Sequence, residues 1–500
     1  MSIRANSEVL NAGFKDAPLK LKRLLVPDLQ GFQAPFSERK TLLMVMDALL
    51  IFGATWGAIR LLGQTSDDVV NTAIVATYWY WFPLLISAWW GVAWFNDLYH
   101  IPSAHDANLS AKRVLTAGVL GLLMSYLAWW VFQVQVSQLI SIYFFALAVP
   151  AIALWRYAYT LLSNIYRPFS HRILILGQGK RGQAIAQVLQ QERHLNYTVL
   201  GYLADCDGGE ASESDAGRHL GGLPVLGKAA DLLRLVREQR VHQVVVAIER
   251  SLETDLFHLL VECQANGVAV VWMPDLFEKV CRKIPIEHID PAWGLHAMQE
   301  KPIFSRLQQS AKRLCDLLLC VLAFPAFLLI LPLLALAIRL DSPGSIFYRQ
   351  IRCGRGGKPF AIFKFRTMVV NAEQNGEARW ASKDDARITR VGRFLRKTRL
   401  DELPQVLNIL SGEMSFVGPR PERPEFVAKL EQEIPFYRTR LTVKPGLTGW
   451  AQINYEYGNS VEDARTKLEY DFYYVRYWSL WLDLYILFRT VSTVIQFKGT

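Results

Sequence analysis

The sequence predicts an α-helical membrane protein in three parts. These are a four-span N-terminal bundle, a central Rossmann-like α/β domain, and a C-terminal monotopic domain with a re-entrant helical hairpin and short helices. Three observations predict this. Four apolar stretches, each long enough to span a bilayer, fill the first third of the chain. A strand, a glycine-rich turn and an amphipathic helix then follow one another from Arg172. Finally, the apolar run Leu314 to Ile338 carries a proline at its centre and basic residues at both ends. The expected boundaries are a leader at 1–40, the bundle at 41–165, the α/β domain at 170–298 and the last domain at 308–500.

The four apolar stretches run from Leu42 to Leu62, Ala73 to Phe95, Val114 to Phe132 and Leu139 to Leu162. Their loops sort by charge. Lys15, Lys20, Lys22, Arg23, Arg39 and Lys40 precede the first, and Lys112 and Arg113 lie between the second and third. Arg156, Arg167 and Arg172 mark the end of the bundle, whereas the other two loops carry no Lys or Arg. Basic loops stay on the cytoplasmic side, so both ends of the bundle are expected inside. A soluble helical core would not sort its loop charges in this way. The net charge of +10 and 51% hydrophobic content point to anionic lipid as the partner, not nucleic acid. The six cysteines form no C-x-x-C pair, which fits a reducing compartment and no metal cluster.

In the central part, Ile173 to Leu176 reads as a buried strand. Gly177, Gly179 and Gly182 form G-x-G-x-x-G, and a second strand from Thr198 to Leu203 runs toward Asp205. This is the dinucleotide-binding order, in which glycines bring phosphate to a helix N-terminus and the acid holds a ribose. The same glycines also permit a tight strand-to-helix turn. No Y-x-x-x-K or catalytic-cysteine pattern comes after them. A regulatory or oligomerising domain is therefore expected ahead of nucleotide binding.

Leu314 to Ile338 has the length of a span but basic residues on both flanks: Lys312 and Arg313 before it, Arg339 after it. Pro325 removes a helical N–H and bends the chain. A segment that dips into one leaflet at 314–338 and returns satisfies both facts, and leaves the rest of the chain on the cytoplasmic face. Near the end, Tyr470 to Ile495 mixes aromatics with Arg476, Asp483 and Arg489, as expected of a helix at headgroup level.

The chemistry is expected around Asp401 and Glu402. Leu403, Val406, Leu407 and Leu410 form a helical stripe, and Pro404 is tolerated only in a first turn. Asp401 is therefore expected near a helix N-cap, where phosphate is also favoured. Two adjacent carboxylates among basic groups can hold Mg²⁺ and leave an oxygen to attack phosphorus. Period two places Lys364 and Arg366 on one strand face. Arg399 stands beside Asp401, and prolines fix the backbone around Arg420. The Lys444 to Gln452 loop reads either as the wall of a nucleotide pocket or as a structural turn.

Taken together, Lys312-Arg, Asp316, Pro325, Tyr348-Arg-Gln-Ile-Arg352, Lys364-Phe-Arg-Thr-Met, Arg399-Leu-Asp-Glu-Leu-Pro-Gln, Ser415-Phe-Val-Gly-Pro-Arg-Pro and Lys444-Pro-Gly-Leu-Thr-Gly-Trp-Ala-Gln resemble the bacterial polyprenyl-phosphate sugar-1-phosphate transferases. The resemblance runs from Gln308 to the end, and the bundle plus degenerate nucleotide fold is similar to the long form of that family. Phe324 departs from it, since a small polar residue often precedes the hairpin proline there. The resemblance implies that 308–500 is catalytic and that Asp401 attacks the β-phosphorus of a UDP-hexose, releasing UMP. Undecaprenyl phosphate then takes the sugar phosphate from Asp401. It implies Mg²⁺ as cofactor, held by Asp401 and Glu402, with Lys364, Arg366, Arg399, Arg420 and Gln452 binding substrate. Glucose is the first expectation for the sugar and galactose the second. The implied setting is the cytoplasmic face of a bacterial inner membrane, in exopolysaccharide, capsule or O-antigen synthesis. A homodimer through the central domain is expected from fold likeness alone. The alternative is a regulatory membrane docking protein with a nucleotide-sensing central domain.

Overall fold

The computed structural model describes 36–63, most of 86–99, 107–132, 138–165, 171–191, 197–204, 219–250, 252–290, 306–369, 387–455 and 460–495, with 385 and 458 besides. The chain packs as two units: one holds the membrane helices, the other most of the α/β domain together with the C-terminal domain.

In the first unit, α1 (Phe36–Gly63), α2 (Ala107–Phe132) and α3 (Gln138–Ile165) pack together, with α3 touching both others. Small residues let the backbones approach. A Cβ on Gly118 would lie 2.4 Å from Val149, and one on Gly121 2.8 Å from Phe145. Of the four expected spans, Thr41–Leu61 and Ile140–Leu162 are long and apolar enough to cross a membrane. The third expected stretch lies within α2. Most of Ala73 to Phe95 lies outside the described residues, as does Asp205.

The bundle buries one ion pair. Arg156 Nη2 lies 2.7 Å from Asp47 Oδ2, with both side chains almost fully buried. Tyr99 donates its hydroxyl to the same carboxylate oxygen, and Arg156 also donates to Leu98 O. A charge in this setting is tolerated only when paired, so this knot fixes how α1 and α3 face each other.

The central domain holds a six-stranded sheet built from β1 (His171–Leu176), β2 (Tyr197–Ala204), β3 (His219–Leu220), β4 (Leu223–Lys228), β5 (Gln243–Val246) and β6 (Ala269–Trp272). Its spatial order is β3-β4-β2-β1-β5-β6. The β2–β4 and β5–β6 pairs are parallel and β3–β4 is antiparallel. Helices α4 (Lys180–Gln191), α5 (Leu232–Glu238), α6 (Thr254–Ala265) and α7 (Met273–Cys281) accompany the sheet. Gly177 adopts φ +113° at the turn into α4. A Cβ on Gly179 would lie 2.6 Å from the Glu249 carboxylate, which also accepts from Arg181 N. The chain's own acid thus takes the place beside the helix start that a dinucleotide phosphate would need. This arrangement favours the turn-forming role of the three glycines.

The C-terminal domain begins with α8 (Arg306–Asp341), which bends by 53° between Leu307–Pro325 and Phe327–Asp341. Pro325 breaks the helix, but the arms open at an obtuse angle and do not fold back on each other. The antiparallel pair β7 (Phe347–Cys353) and β8 (Pro359–Phe365) comes next. After it come α9 (Arg390–Thr398), α10 (Val406–Ser411), β9 (Ser415–Val417), α11 (Pro424–Glu433), β10 (Gly446–Thr448), α12 (Trp450–Asn454), α13 (Val461–Tyr477) and α14 (Leu480–Ile495). The expected single helix from Tyr470 to Ile495 is two helices, because Ser479 caps a new start by accepting from Leu482 N.

The segment after α7 is part of this domain's core. Ile284, Ile286 and Ile289 are buried with Val427, Leu430, Tyr437 and Phe472. Lys283 pairs with Glu469 at 2.7 Å, Trp450 Nε1 donates to Arg282 O, and Glu278 accepts from Arg476 and Tyr477. Helix α13 is therefore gripped along its length from the central domain's last helix and the segment behind it. Ile286→Ala in the full chain is expected to destabilise the C-terminal domain by about 2–5 kcal/mol. Thermal unfolding in detergent checks this. A loss under about 0.5 kcal/mol, usual for surface positions, would show the segment to be a tether.

Candidate active site

The site is assembled from three stretches that the sequence spaces far apart. Strand β8 presents Lys364, the turn Leu400–Gln405 presents Asp401 and Glu402, and the loop after β9 presents Arg420. Asn408, fully buried on α10, joins the first two. Its side chain accepts from Phe363 N and donates to Ala361 O, imitating a neighbouring strand along β8. Arg399 makes the junction between α9 and the turn at φ 56°, a left-handed conformation uncommon for a residue with a Cβ. Such geometry persists where the surroundings enforce it, often at functional sites.

Asp401 is not at an α-helical N-cap. The turn carrying it is a 3-10 turn that includes Pro404, and α10 starts only at Val406. A helix of that length supplies little dipole, so the charge balance rests on side chains. Glu402 Oε1 accepts from Lys364 Nζ at 2.7 Å and from Arg420 Nη2 at 2.6 Å. Burial pushes this carboxyl upward, but Arg420 and Lys364 together outweigh it and hold Glu402 below the usual carboxylate range. Asp401 is equally buried, yet among the described residues its carboxylate takes part in no hydrogen bond or salt bridge. Burial, reinforced by the Glu402 charge, pushes it up to about 6 against the pull of Lys364 and Arg420. One acid is locked as an anion and its neighbour is left uncommitted. That arrangement sets an unpaired carboxylate beside cations able to hold phosphate.

Arg399 belongs to this cluster electrostatically, since burial and then Arg420 lower its pKa while Glu402 and Asp401 raise it. Arg366 does not. Strand β8 ends at Phe365, so strand alternation no longer governs the next residue. The Arg366 side chain is buried and donates to Pro343 O, Ile338 O and Ser342 O. It caps the C-terminal end of α8, which corrects its assignment to substrate. Gln452 sits on α12, donates to Leu447 O, and leaves its buried Oε1 without a partner.

Residues that spacing and composition did not single out support the cluster. Arg440 is buried and donates Nη2 to Arg420 O at 2.9 Å and Nη1 to the Tyr437 hydroxyl. Its other neighbour, Asp471 on α13, lies 3.0 Å away. No sequence spacing links Arg420, Arg440 and Asp471, so only the fold could reveal them.

The expected Mg²⁺ fits half of its expected ligand set. Mg²⁺ is commonly held by one or two carboxylates plus substrate phosphates. Asp401 has oxygens available. Glu402 has both occupied by Lys364 and Arg420, so it fits only if one of these lets go. Among the described residues, no group of three His, Cys, Asp or Glu side chains gathers for a metal.

Comparison with known proteins finds two family matches, the second of which starts inside the stretch read as the membrane bundle. Residues 307–497 match the bacterial sugar transferase family, and 94–274 match a CoA-binding domain family. A UDP-galactose-lipid carrier transferase of Erwinia amylovora is 31% identical over 82% of this chain and 85% of its own length. A UDP-glucose:undecaprenyl-phosphate glucose-1-phosphate transferase of Xanthomonas campestris pv. campestris is 33% identical over 65% of this chain and 67% of its own. A UDP-N-acetylgalactosamine-undecaprenyl-phosphate N-acetylgalactosaminephosphotransferase of Aeromonas hydrophila is 41% identical over 48% of this chain. That match spans 55% of the Aeromonas protein's length.

Arg366 and Arg420 should separate cleanly on substitution. Arg366→Met uncovers Pro343 O and Ser342 O, while Ile338 O keeps Ser342 N, and should lower the melting temperature at a cost of about 1–3 kcal/mol for each carbonyl left unpaired. It should leave the affinity for UMP unchanged. Arg420→Met should instead weaken UMP binding at least tenfold. Isothermal titration beside thermal unfolding distinguishes the two, and weaker UMP binding by Arg366→Met would return that residue to the site.

Proposed function

Because this chain belongs to the bacterial sugar transferase family, we propose that it moves a hexose 1-phosphate from a UDP-sugar to undecaprenyl phosphate. The observation that supports this reading most is the uncommitted, buried Asp401 beside a Glu402 already neutralised by two cations.

On this reading an Asp401 oxygen attacks the β-phosphorus of the UDP-sugar. The bond from that phosphorus to the bridging oxygen breaks, and UMP leaves with the electron pair. A phosphate oxygen of undecaprenyl phosphate then attacks the same phosphorus and expels Asp401. Lys364, Arg399 and Arg420 stabilise the charge on the transferring phosphoryl group, and Glu402 keeps two of these cations aimed at the site. When bound, Mg²⁺ would neutralise the diphosphate, with Asp401 as the protein's oxygen ligand. Glucose is the first candidate for the sugar and galactose the second. The named relatives act on glucose, galactose or N-acetylgalactosamine, so all three are donors to test.

The α8 geometry supports a re-entrant segment. At 1.5 Å per residue the two arms are roughly 28 and 22 Å long. With both ends at one surface, the 53° bend lets the apex reach about 11 Å, less than half of a hydrocarbon core of about 30 Å. The same domain also holds both ends. Lys312 pairs with Asp483 and Arg313 donates to Ile409 O at one end, while Arg366 and Val391 N bind the other. A span would set those contacts on opposite sides of the membrane. The loop charges support a position on the cytoplasmic face of the inner membrane, and a homodimer through the central domain completes the proposal.

Purified protein given each UDP-sugar, Mg²⁺ and undecaprenyl phosphate should release UMP, and Asp401→Asn should release none. Release of UDP in place of UMP would indicate ordinary glycosyl transfer and overturn the mechanism. Competition among the three donors orders the sugars.

The acid limb offers a second check. Asp401 must be ionised to attack and is held up to about 6. At donor concentrations well below saturation, where kcat/KM reports the free protein, the first-step rate should be flat above that pH and fall about tenfold per unit below it. A rate unchanged down to pH 4.5 would remove Asp401 as the nucleophile.

A further inference from the structure

A second group of cations lies where α8 meets α10, and it takes no member from the Asp401–Glu402 cluster. Arg313 Nη1 and Nη2 donate to Ile409 O and Leu410 O, which caps the end of α10. Gly412 comes next at φ +85°. A Cβ placed on Gly412 would have as its three nearest neighbours Arg313 Nη2 at 3.6 Å, Lys444 Nζ at 3.7 Å and Arg313 Cζ at 3.8 Å. The space over this glycine is therefore faced by two cations at once.

Neither cation has an acid of its own there. Among the described residues, the Arg313 side chain donates only to the two carbonyls, and the partly buried Lys444 side chain makes no hydrogen bond or ion pair. Arg355 is exposed, and its side chain is likewise uncommitted among the described residues. Burial first, then Arg313, Arg355 and Lys312, depress the Lys444 pKa, with Asp316 opposing them. Asp316 is a single negative charge against these cations, and its Oδ1 accepts from Ser415 Oγ and Phe416 N. Several like charges gathered around one anion are costly, and a ligand carrying several acceptor oxygens would relieve them.

The surroundings say which ligand. Leu314 and Leu318 on α8 are 58% and 56% exposed, and Leu407 and Leu410 on α10 also face outward. The cations thus lie at the edge of an apolar surface next to the segment read as membrane-inserted. A molecule with a phosphate at one end and acyl chains at the other matches both halves.

We propose that Arg313 and Lys444 form a binding site for the phosphate of a membrane phospholipid, seated over Gly412 at the entry of α8. The site anchors the inserted helix from the headgroup side, separately from the substrate phosphates.

Thermal unfolding of the full chain in detergent tests this, with dihexanoylphosphatidylglycerol below its micellar concentration or inorganic phosphate as probe. The lipid should raise the melting temperature saturably. Lys444→Gln should raise the half-saturating concentration at least tenfold. Arg313→Gln should raise it comparably, since its guanidinium is the other cation over Gly412. An equal response to inorganic phosphate would overturn the lipid assignment. No response in the unaltered protein, or an unchanged response in both variants, would overturn the site.

Discussion

The catalytic end of this molecule depends on how a buried Glu402 is compensated. A carboxylate removed from water is costly unless it is paired and hydrogen-bonded. Glu402 has two cations, one from the β7–β8 hairpin and one from the loop after β9. The pairing therefore draws three separate pieces of chain to one point. Asn408 holds the strand to α10, Arg440 holds the carbonyl of Arg420, and Asp471 brings α13 up behind Arg440. Removing Glu402 would leave Lys364 and Arg420 facing each other across a buried space.

The same logic fixes the domain to its inserted helix. Lys312 reaches Asp483 Oδ2 at 2.6 Å and also donates to Val417 O, while Asp316 binds Ser415 and Phe416. One polar turn of α8 thus ties together β9 and α14 just before the apolar run begins. At the far end Arg366 gathers three carbonyls and Asp341 accepts from Val391 N. The helix is broken at Pro325, but polar contacts at its two ends set where those ends lie. On the proposed re-entrant reading, these contacts let an open bend at Pro325 keep both ends at one surface.

The coarse plan is legible in the sequence because it is carried by long-period signals. Apolar length marks Thr41–Leu61 and Ile140–Leu162, and strand-to-helix alternation marks β1, α4 and β2. The pairing of Asp401 and Glu402 with Lys364 and Arg420 rests on family likeness more than on spacing. Details that depend on where an element stops are not legible. Arg366 lies one residue past the end of β8, and that single residue turns it from the site to a helix end. The Leu400–Gln405 turn reads as a helix start because Pro404 fits both. Arg440 and Asp471 carry no local pattern, since their role is set by a carbonyl contributed from a different loop.

Adjacent acids in one turn usually share a role by default, and here they do not. Asp401 and Glu402 are both buried and stand next to each other in sequence, yet all the donors in reach go to Glu402. Concentrating the donors makes one carboxylate a permanent anion, and its charge adds to burial in raising the other. On the proposed mechanism this supplies a nucleophile matched to neutral pH without a dedicated base. The cost is that Glu402 cannot readily serve as a metal ligand while Lys364 and Arg420 are in place. On the proposed mechanism the incoming diphosphate resolves this, because its oxygens compete for the same two cations. Glu402 then acts as a placeholder that keeps the phosphate-binding groups extended and aimed before substrate arrives, leaving Asp401 free to face phosphorus.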